Sequence, residues 1–500
     1  MIELKPGRNC WRIETAERLS VIIDGQAYFR ALREAMLKAQ RMVMMIGWDF
    51  DFEIEMLPGE SDADGLAPDG FPNKVGPFLE AIVDRRKDLD IYLLKWSGGA
   101  LIAPGGILPA LAVKLMSPDQ IHLAFDGRHP IGACHHQKIV AIDDSLAFCG
   151  GIDMTEGRWD TREHKDDDPR RTSARGKLMK PWHDATSAFD GPAARAMGDL
   201  ARDRWRIACG EELSAVSDAS GCWPDAIKPT FRDVALAIAR TRPDIPDVQP
   251  AYEVEQMYLD LIARAKRVIY AESQYFASRR IAQAIAKRLA EDDPPEIVII
   301  NPVSAQGWLE PMAMDTARAQ LVEALRKLDH RDRLRIYHPV TDAGAEIYVH
   351  AKVTIVDDTY LRVGSSNFNN RSMRLDTECD VMLAAERPGA EATRATITAL
   401  RDDLLAEHLA MTPDQVTQGI KEHGSLIAMI DANRGTQGQG RTLIPYEIPE
   451  LSGFEAWLAE NEILDPEGPD KIFEPLGKRK GLIRRWHWPK RLKWRRRKSA

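Results

Sequence analysis

Two short stretches of the chain hold the residues best able to do chemistry. His136-Gln137-Lys138 is followed after four residues by Asp143 and after six more by Gly150. His350-Ala351-Lys352 is followed at identical spacing by Asp357 and Gly364. An isolated HxK is unremarkable in a chain of 500 residues, but two full HxKx4Dx6G copies, each in a strand-like apolar run (IVAID, VTIVD) and each ending in a small-residue turn, form a strong signal. On a strand, residues i and i+2 share a face, so each histidine projects beside its lysine. Brought face to face, the pairs would put two imidazoles and two ammonium groups around one small volume, which suits an anionic phosphodiester. The lysines can bind non-bridging oxygens and offset the charge that grows in the transition state.

Two histidines also suit a two-step transfer. One neutral imidazole attacks phosphorus and forms a phosphohistidine, while the other, protonated, gives its proton to the leaving alcohol and then activates water. Acid–base help of this kind is worth ~10²–10⁴-fold. It requires no metal, and no His/Asp cluster shows clean metal-ligand spacing. The candidate catalytic set is therefore His136, Lys138, Asp143, His350, Lys352 and Asp357. Within it the aspartates stand apart. Seven positions is an odd step from the histidine, which turns them off the His/Lys face, and each opens an Asp-Asp turn. They are read as structural, fixing the hairpin.

The paired pattern resembles the phospholipase D superfamily, in which two such motifs meet at a pseudo-twofold axis and form one active site. GGIDMTEGRWDT (150–161), PWHDATSAFDGPA (181–193), ESQYF (272–276) and VGSSNFNNRSM (363–373) look like the phosphatidylcholine-type enzymes of eukaryotes and bacteria, less like cardiolipin synthases. The resemblance covers roughly residues 20–410. It implies His136 as nucleophile and His350 as acid/base, roles that the spacing alone leaves interchangeable. A nucleophilic imidazole also needs an acceptor on its other nitrogen to hold the tautomer. Glu378 falls where the family carries a carboxylate for that purpose, and Asp160 in GRWD is the candidate in the first half. Asn367 and the Ser365 hydroxyl are candidates to donate to phosphate, although turn chemistry accounts for Ser365 equally well. His135 should point away from the His136 face. His183 in PWHD is either near the site or a satisfied structural histidine. Trp159 and Trp182 are candidate walls of a headgroup pocket, since an aromatic face attracts quaternary ammonium; packing explains them as well.

The elements that must position these groups repeat. A helix then a strand is expected over 18–46, with the helix beginning at ERLSVIID, and the same order recurs over 253–276. DLDIYLLKW (88–96) parallels PPEIVIINP (294–302), and the motif strands come third in each half. Such a repeat, with strands alternating with helical patterns, predicts an α/β fold: two pseudo-symmetric α/β/α sandwich halves with the active site at their interface. The expected organisation is a first half over 1–240, a second over 241–410 entered by a linker at 241–250, an extension over 411–477 and a tail over 478–500. Residues 163–177, charged and interrupted by proline, read as a surface loop. The uncharged stretch 96–113 is long enough to cross a bilayer, but its four glycines and two prolines oppose a continuous helix, so a buried loop and helix start are expected.

With 44% hydrophobic residues the chain can bury large cores. Six cysteines without a CxxC pair read as reduced thiols, and the N-terminus shows no apolar signal segment. The expected location is the cytoplasm, peripheral at the inner membrane face. Twelve of the 68 Lys and Arg lie from Lys478 onward with none of the 76 acids, interleaved with three tryptophans, so an acidic body is joined to a basic tail. Basic residues near anionic lipid contribute ~1 kcal/mol each and tryptophan favours the interface, so the expected partner is a phospholipid bilayer surface, with phospholipid as substrate. Nucleic-acid phosphates would attract the same tail, but an acidic body does not supply a basic channel. The expected function is hydrolysis of the distal phosphodiester of phosphatidylcholine-like lipids to phosphatidic acid and headgroup, with transphosphatidylation when an alcohol captures the intermediate. A cardiolipin-synthase-type phosphatidyltransferase and a nuclease are the alternatives.

Overall fold

The computed structural model describes residues 2–98, 117–130, 132–219, 221–305 and 314–449. Most of the uncharged 96–113 stretch, and the whole of the basic tail, lie outside them.

The chain opens with a strand where a helix is expected. β1 (Arg12–Ile23) includes Val21, Ile22 and Ile23, whose branching at Cβ favours a pleated backbone. Asp24 then takes φ 66°, ψ 159°, which no helix can pass through, and α1 (Gly25–Lys38) starts only after it. There follow β2 (Met42–Gly47), α2 (Val75–Arg85), β3 (Asp90–Trp96) and β4 (Ile121–Asp126). The first motif forms β5 (Ile139–Ile142) and β6 (Leu146–Gly150), and β7 (Trp182–His183), β8 (Ala185–Asp190) and α3 (Pro192–Cys209) complete the half.

The second half repeats this plan, and it starts at β9 (Phe231–Arg242), which pairs with the later strand Glu378–Ala384 and runs past the expected boundary at 240/241 into the expected linker. From β9 it runs through β10 (Ala251–Tyr252), α4 (Glu253–Arg264), β11 (Val268–Glu272), α5 (Arg279–Leu289), β12 (Glu296–Ile300), α6 (Thr316–Arg326) and β13 (Leu334–Val340). β14 (Tyr348–Val349) leads into the second motif hairpin, β15 (Val353–Val356) and β16 (Tyr360–Gly364). α7 (Asn370–Arg374), β17 (Glu378–Ala384) and α8 (Glu391–Leu409) follow. The described part of the expected extension forms α9 (Pro413–His423), α10 (Leu426–Asn433) and β18 (Thr442–Pro445), which pairs antiparallel with β13.

In the first half β2, β3 and β4 are parallel, and β5, β6, β8 and β1 follow antiparallel. The second half reproduces that order as β11, β12, β13 and then β15, β16, β17, β9. β1 and β9 pair antiparallel from Arg12↔Ile238 to Leu19↔Phe231. The two halves therefore share one continuous sixteen-stranded sheet, with the pseudo-twofold between its two central strands.

Three large cores among the described residues follow from the alternation of side chains across the sheet, beside a small cluster of Ala277, Ala305 and Met314. Val43, Ile91 and Phe148 meet Phe29 and Leu32 of α1 and Phe78 of α2. Ile269, Ile297 and Val356 meet Leu261 of α4 and Ile285 of α5. The opposite face belongs to both halves at once: Met197 and Trp205 of α3 and Ile397 and Leu404 of α8 pack with Ile139, Leu236 and Ile355. Val416, Ile430 and Leu443 bind the extension into that shared core. A separate two-stranded pair, parallel β7 and β14, crosses between the halves and aligns Trp182 with Tyr348 and His183 with Val349. It lies next to the candidate site.

Candidate active site

The two motif hairpins are built alike. Asp143, Asp144, Asp357 and Asp358 all sit at φ 51–54°, a left-handed conformation that aspartate tolerates at a turn. The Asp143 carboxylate accepts the backbone N–H groups of Gln40, Arg41 and Met42 at 2.6–2.8 Å. Asp357 accepts those of Lys266, Arg267 and Val268 at 2.7–3.0 Å. Each aspartate thus ties its hairpin to the entrance of the neighbouring strand, β2 or β11, and reaches no reacting group. Gly150 and Gly364 are required by close strand approach: a Cβ on Gly150 would overlap Thr186, and one on Gly364 would overlap Asp380.

Each motif histidine is held by a carboxylate from the other half. His136 Nδ1 lies 2.9 and 3.0 Å from the two oxygens of Glu378, the first residue of β17. His350 Nδ1 lies 2.7 Å from Asp184, between β7 and β8, and the His350 N–H donates to the His183 carbonyl at 2.7 Å. A neutral imidazole beside a buried carboxylate carries its proton on Nδ1, so each Nε2 is left as a lone-pair nitrogen. Burial, reinforced by Lys138 and Lys352, holds the His136 pKa well below its ordinary value. Burial, Lys352, Arg158, Lys138 and His136 itself do the same for His350. Both imidazoles are therefore neutral near pH 7, and the two are close enough that charge on one disfavours a proton on the other.

The cations crowd the same volume. Lys138 Nζ lies 3.1 Å from Asp153 and 3.1 Å from the His136 carbonyl, while Lys352 Nζ donates to the His350 carbonyl. Burial pushes the Lys352 pKa down to about 7, against the pull of Asp184. A third cation, the Arg158 guanidinium, stacks 4.0 Å over the Trp182 ring. Trp182 also stacks on Tyr348 at 4.7 Å and leans on His350 at 5.0 Å. Its ring is covered by protein groups, so Trp182 is a wall that positions His350 rather than an open face for a headgroup ammonium. Trp159 is buried, with Arg170 over its ring at 5.2 Å.

Several expected roles are revised. Asp160 does not hold a motif histidine: it binds His164 Nδ1 at 2.9 Å, Arg171 at 2.8 Å and the Trp182 N–H at 2.8 Å. The acceptor for His350 is Asp184, a residue outside the expected candidates. The Ser365 hydroxyl donates to Glu378 at 2.5 Å and, with Ser372 at 2.7 Å, orients that carboxylate; it is engaged there rather than offered to phosphate. Asn367 is buried, with Nδ2 3.4 Å from Gln274 and Oδ1 without a hydrogen-bond partner. His135 is a core histidine, 3.1 Å from both Asp126 and Thr377. His183 joins a buried carboxylate network with both nitrogens. The 163–177 segment is not simply a surface loop, because His164, Asp168 and Arg171 are buried.

Two sequence families match the chain, one motif each. The family described as "Phospholipase D" matches residues 128–226, and "Cardiolipin synthase, PLD-like domain" matches 258–398. Phospholipase D alpha 1 of Zea mays is 25% identical over 403 residues, covering 56% of this chain and 49% of the maize protein. Phospholipase D alpha 1 of Nicotiana tabacum is 26% identical over 398 residues, covering 55% and 49%. The chain thus spans about half the length of the curated relatives it matches. Among solved structures, a phosphatidylserine synthase from Haemophilus influenzae Rd KW20 superposes with a TM-score of 0.53 at 12% identity, covering 84% of this chain and 96% of that one; it shows a common fold.

Proposed function

The chain belongs to the phospholipase D superfamily, and from that premise we propose that it hydrolyses the distal phosphodiester of glycerophospholipids, phosphatidylcholine-like ones foremost, to phosphatidic acid and free headgroup. The observation that carries this reading is the reciprocal anchoring of the two histidines, His136 on Glu378 and His350 on Asp184. It leaves two neutral Nε2 atoms beside a cationic cradle suited to one phosphate.

In the proposed reaction His136 Nε2 attacks phosphorus. The bond to the headgroup oxygen breaks, and that oxygen takes the proton from His350 Nε2. Water then enters: His350 Nε2 removes its proton, its oxygen forms the new bond to phosphorus, and the bond to His136 breaks. His350 must be protonated at the start although it is neutral in the free enzyme. The anionic substrate resolves this, since its charge offsets the lysines and Arg158 that suppress the imidazolium. The lysines act as preorganised cations on the non-bridging oxygens.

The similarity to plant phospholipases D, at about 25% identity over four hundred residues, supports hydrolysis as the first reading. The cardiolipin-synthase match of the second half supports a second, phosphatidyl transfer to a lipid alcohol from the same intermediate. Mass spectrometry of lipid products separates them. Vesicles of phosphatidylcholine, phosphatidylethanolamine and phosphatidylglycerol, with and without a primary alcohol, should yield phosphatidic acid that gives way to a phosphatidyl-alcohol. Cardiolipin as main product would favour the synthase, and an absence of lipid turnover would overturn both.

A further inference from the structure

Beside the candidate site, and separate from it, lies a second constellation assembled from four distant parts of the chain. His183 Nδ1 is 2.7 Å from Glu407 and 3.2 Å from Asp24. His164 Nε2 is 3.0 Å from the same Glu407 oxygen and 3.6 Å from Asp24 Oδ2. All four residues are buried, and Asp24 Oδ2, on a residue 1% exposed, has no hydrogen-bond partner. The residues stand at the end of β1, in the 151–181 segment, in β7 and in the last turn of α8, so the scatter of positions 24, 164, 183 and 407 explains why no metal-ligand spacing is visible in the sequence.

We propose that these four side chains bind one first-row divalent cation of the Zn²⁺ class, through Asp24, His164 Nε2, His183 Nδ1 and Glu407. The four imidazole–carboxylate separations, 2.7 and 3.0 Å to Glu407, 3.2 Å to Asp24 Oδ1 and 3.6 Å to Asp24 Oδ2, lie around the ~3.3 Å edge of a tetrahedron with bonds near 2.0–2.1 Å, and one donor atom from each of the four residues lies within 4.8 Å of all the others. Two carboxylates and two neutral imidazoles balance a double positive charge. Two nitrogen donors select a borderline metal over Ca²⁺ or Mg²⁺, which prefer all-oxygen sites.

The surroundings argue for the same assignment. The remaining nitrogen of each imidazole meets its own carboxylate: His164 Nδ1 lies 2.9 Å from Asp160, and His183 Nε2 lies 2.9 Å from Glu272. Outer carboxylates that fix the tautomer and orientation of a ligating histidine are the usual support of such sites. They are held in turn. Arg171 binds Asp160 at 2.8 Å, Tyr270 binds Glu272 at 2.5 Å, and Arg162 takes the second oxygen of Glu407 at 2.5 Å. Asp24 is also kept at φ 66°, ψ 159°, a region unfavourable to a residue with a Cβ, and its carboxylate is buried.

The site would brace the candidate active centre. Asp184, which holds His350, directly follows His183; its carbonyl accepts the Asp24 N–H at 2.8 Å, and its own N–H donates to Asp24 Oδ1 at 3.1 Å. Since Glu407 belongs to the second half, the ion would also pin the halves together.

The test is metal analysis of the full-length protein, purified without a polyhistidine tag. The proposal expects about one first-row divalent ion per chain. Stripping it with dipicolinate should lower the thermal midpoint by several degrees, and Zn²⁺ but not Ca²⁺ should restore it. His164→Ala and Glu407→Gln should lose the ion, whereas His136→Ala and His350→Ala should keep it. X-ray absorption on the loaded wild type should show mixed nitrogen and oxygen ligands without sulfur, and it needs no variant to fold. A wild-type chain that carries no such ion and gains no stability with Zn²⁺ overturns the proposal, as does retention of the ion by His164→Ala and Glu407→Gln. None of these readouts depends on the substrate proposed above.

Discussion

The two motif histidines are chemically equal until their partners are considered. Both donate Nδ1–H to a buried carboxylate, but Glu378 also receives the Ser365 and Ser372 hydroxyls, whereas Asp184 is flanked by Trp182, whose indole N–H reaches it at 3.4 Å. Asp184→Asn should therefore release His350 from its tautomer and lower kcat by ~10²–10⁴-fold with little change in the circular dichroism spectrum; turnover near the wild-type rate would remove Asp184 from the mechanism. Lys352 offers a pH test. Its pKa of about 7 lies below the ordinary lysine value of 10.5, so between those limits the unfolded chain holds more protons than the folded one and stability must rise with pH. The thermal midpoint of the wild type should carry a rising contribution over that window, worth roughly 3–5 kcal/mol at most, and Lys352→Met should lack it. Parallel profiles for the two proteins would contradict the assignment. The histidine–lysine pairs were legible because a fixed spacing on a strand fixes a shared face. Asp184 was not read because it serves the other half. The signal was present in the repeat: Gly150 pairs with Thr186 as Gly364 pairs with Asp380, so Asp184 and Glu378 occupy equivalent positions, two residues before those partners.

At the scale of elements, the hairpin aspartates decide how the motif strands are held. Replacing Asp143 by Asn turns an amide N–H toward backbone donors it cannot satisfy, and should cost about 2–3 kcal/mol. Asp357→Asn should cost less, because Asp357 is only half-buried while Asp143 is 3% exposed. Denaturant unfolding measures both, and kcat of the folded fraction should stay near wild type; a selective loss of kcat would return the aspartates to the chemistry. The sequence separates these residues from the reacting face by parity alone, but their true targets, the entrances of β2 and β11, are set by tertiary pairing. Parity of another kind misleads at residues 18–23. ERLSVII has apolar positions compatible with a helix, but its β-branched Val21, Ile22 and Ile23 and the pairing with β8 and β9 make it a strand. The 163–177 segment misleads for a related reason: its charges look solvated, yet Arg171 and His164 fold back onto Asp160 just before the segment, and His164 also meets Glu407 of α8, so both are buried.

At the scale of the whole molecule, one sheet runs through both halves, and each motif histidine is held by a carboxylate of the opposite half. The repeat and the layered α/β class were legible from the alternation of helical and strand patterns; the fusion of two sheets through β1 and β9 was not, because neither strand stands out from its surroundings in hydrophobic pattern. Among the described residues no helix is long and apolar enough to cross a membrane. Access to lipid is proposed to come from the tail. Deleting residues 478–500 should weaken binding to anionic liposomes, the more so at low salt, and leave turnover of a soluble diester intact; unchanged liposome binding would assign the tail another partner. The central claim is that phosphorus passes through a histidine at the junction of the halves. Its most direct measurement is intact-protein and peptide mass spectrometry of acid-free quenched reactions with phosphatidylcholine vesicles. The account predicts a phosphatidyl adduct on His136 that forms within a turnover and is lost in His136→Ala together with activity. Full turnover with no adduct on either motif histidine would contradict it.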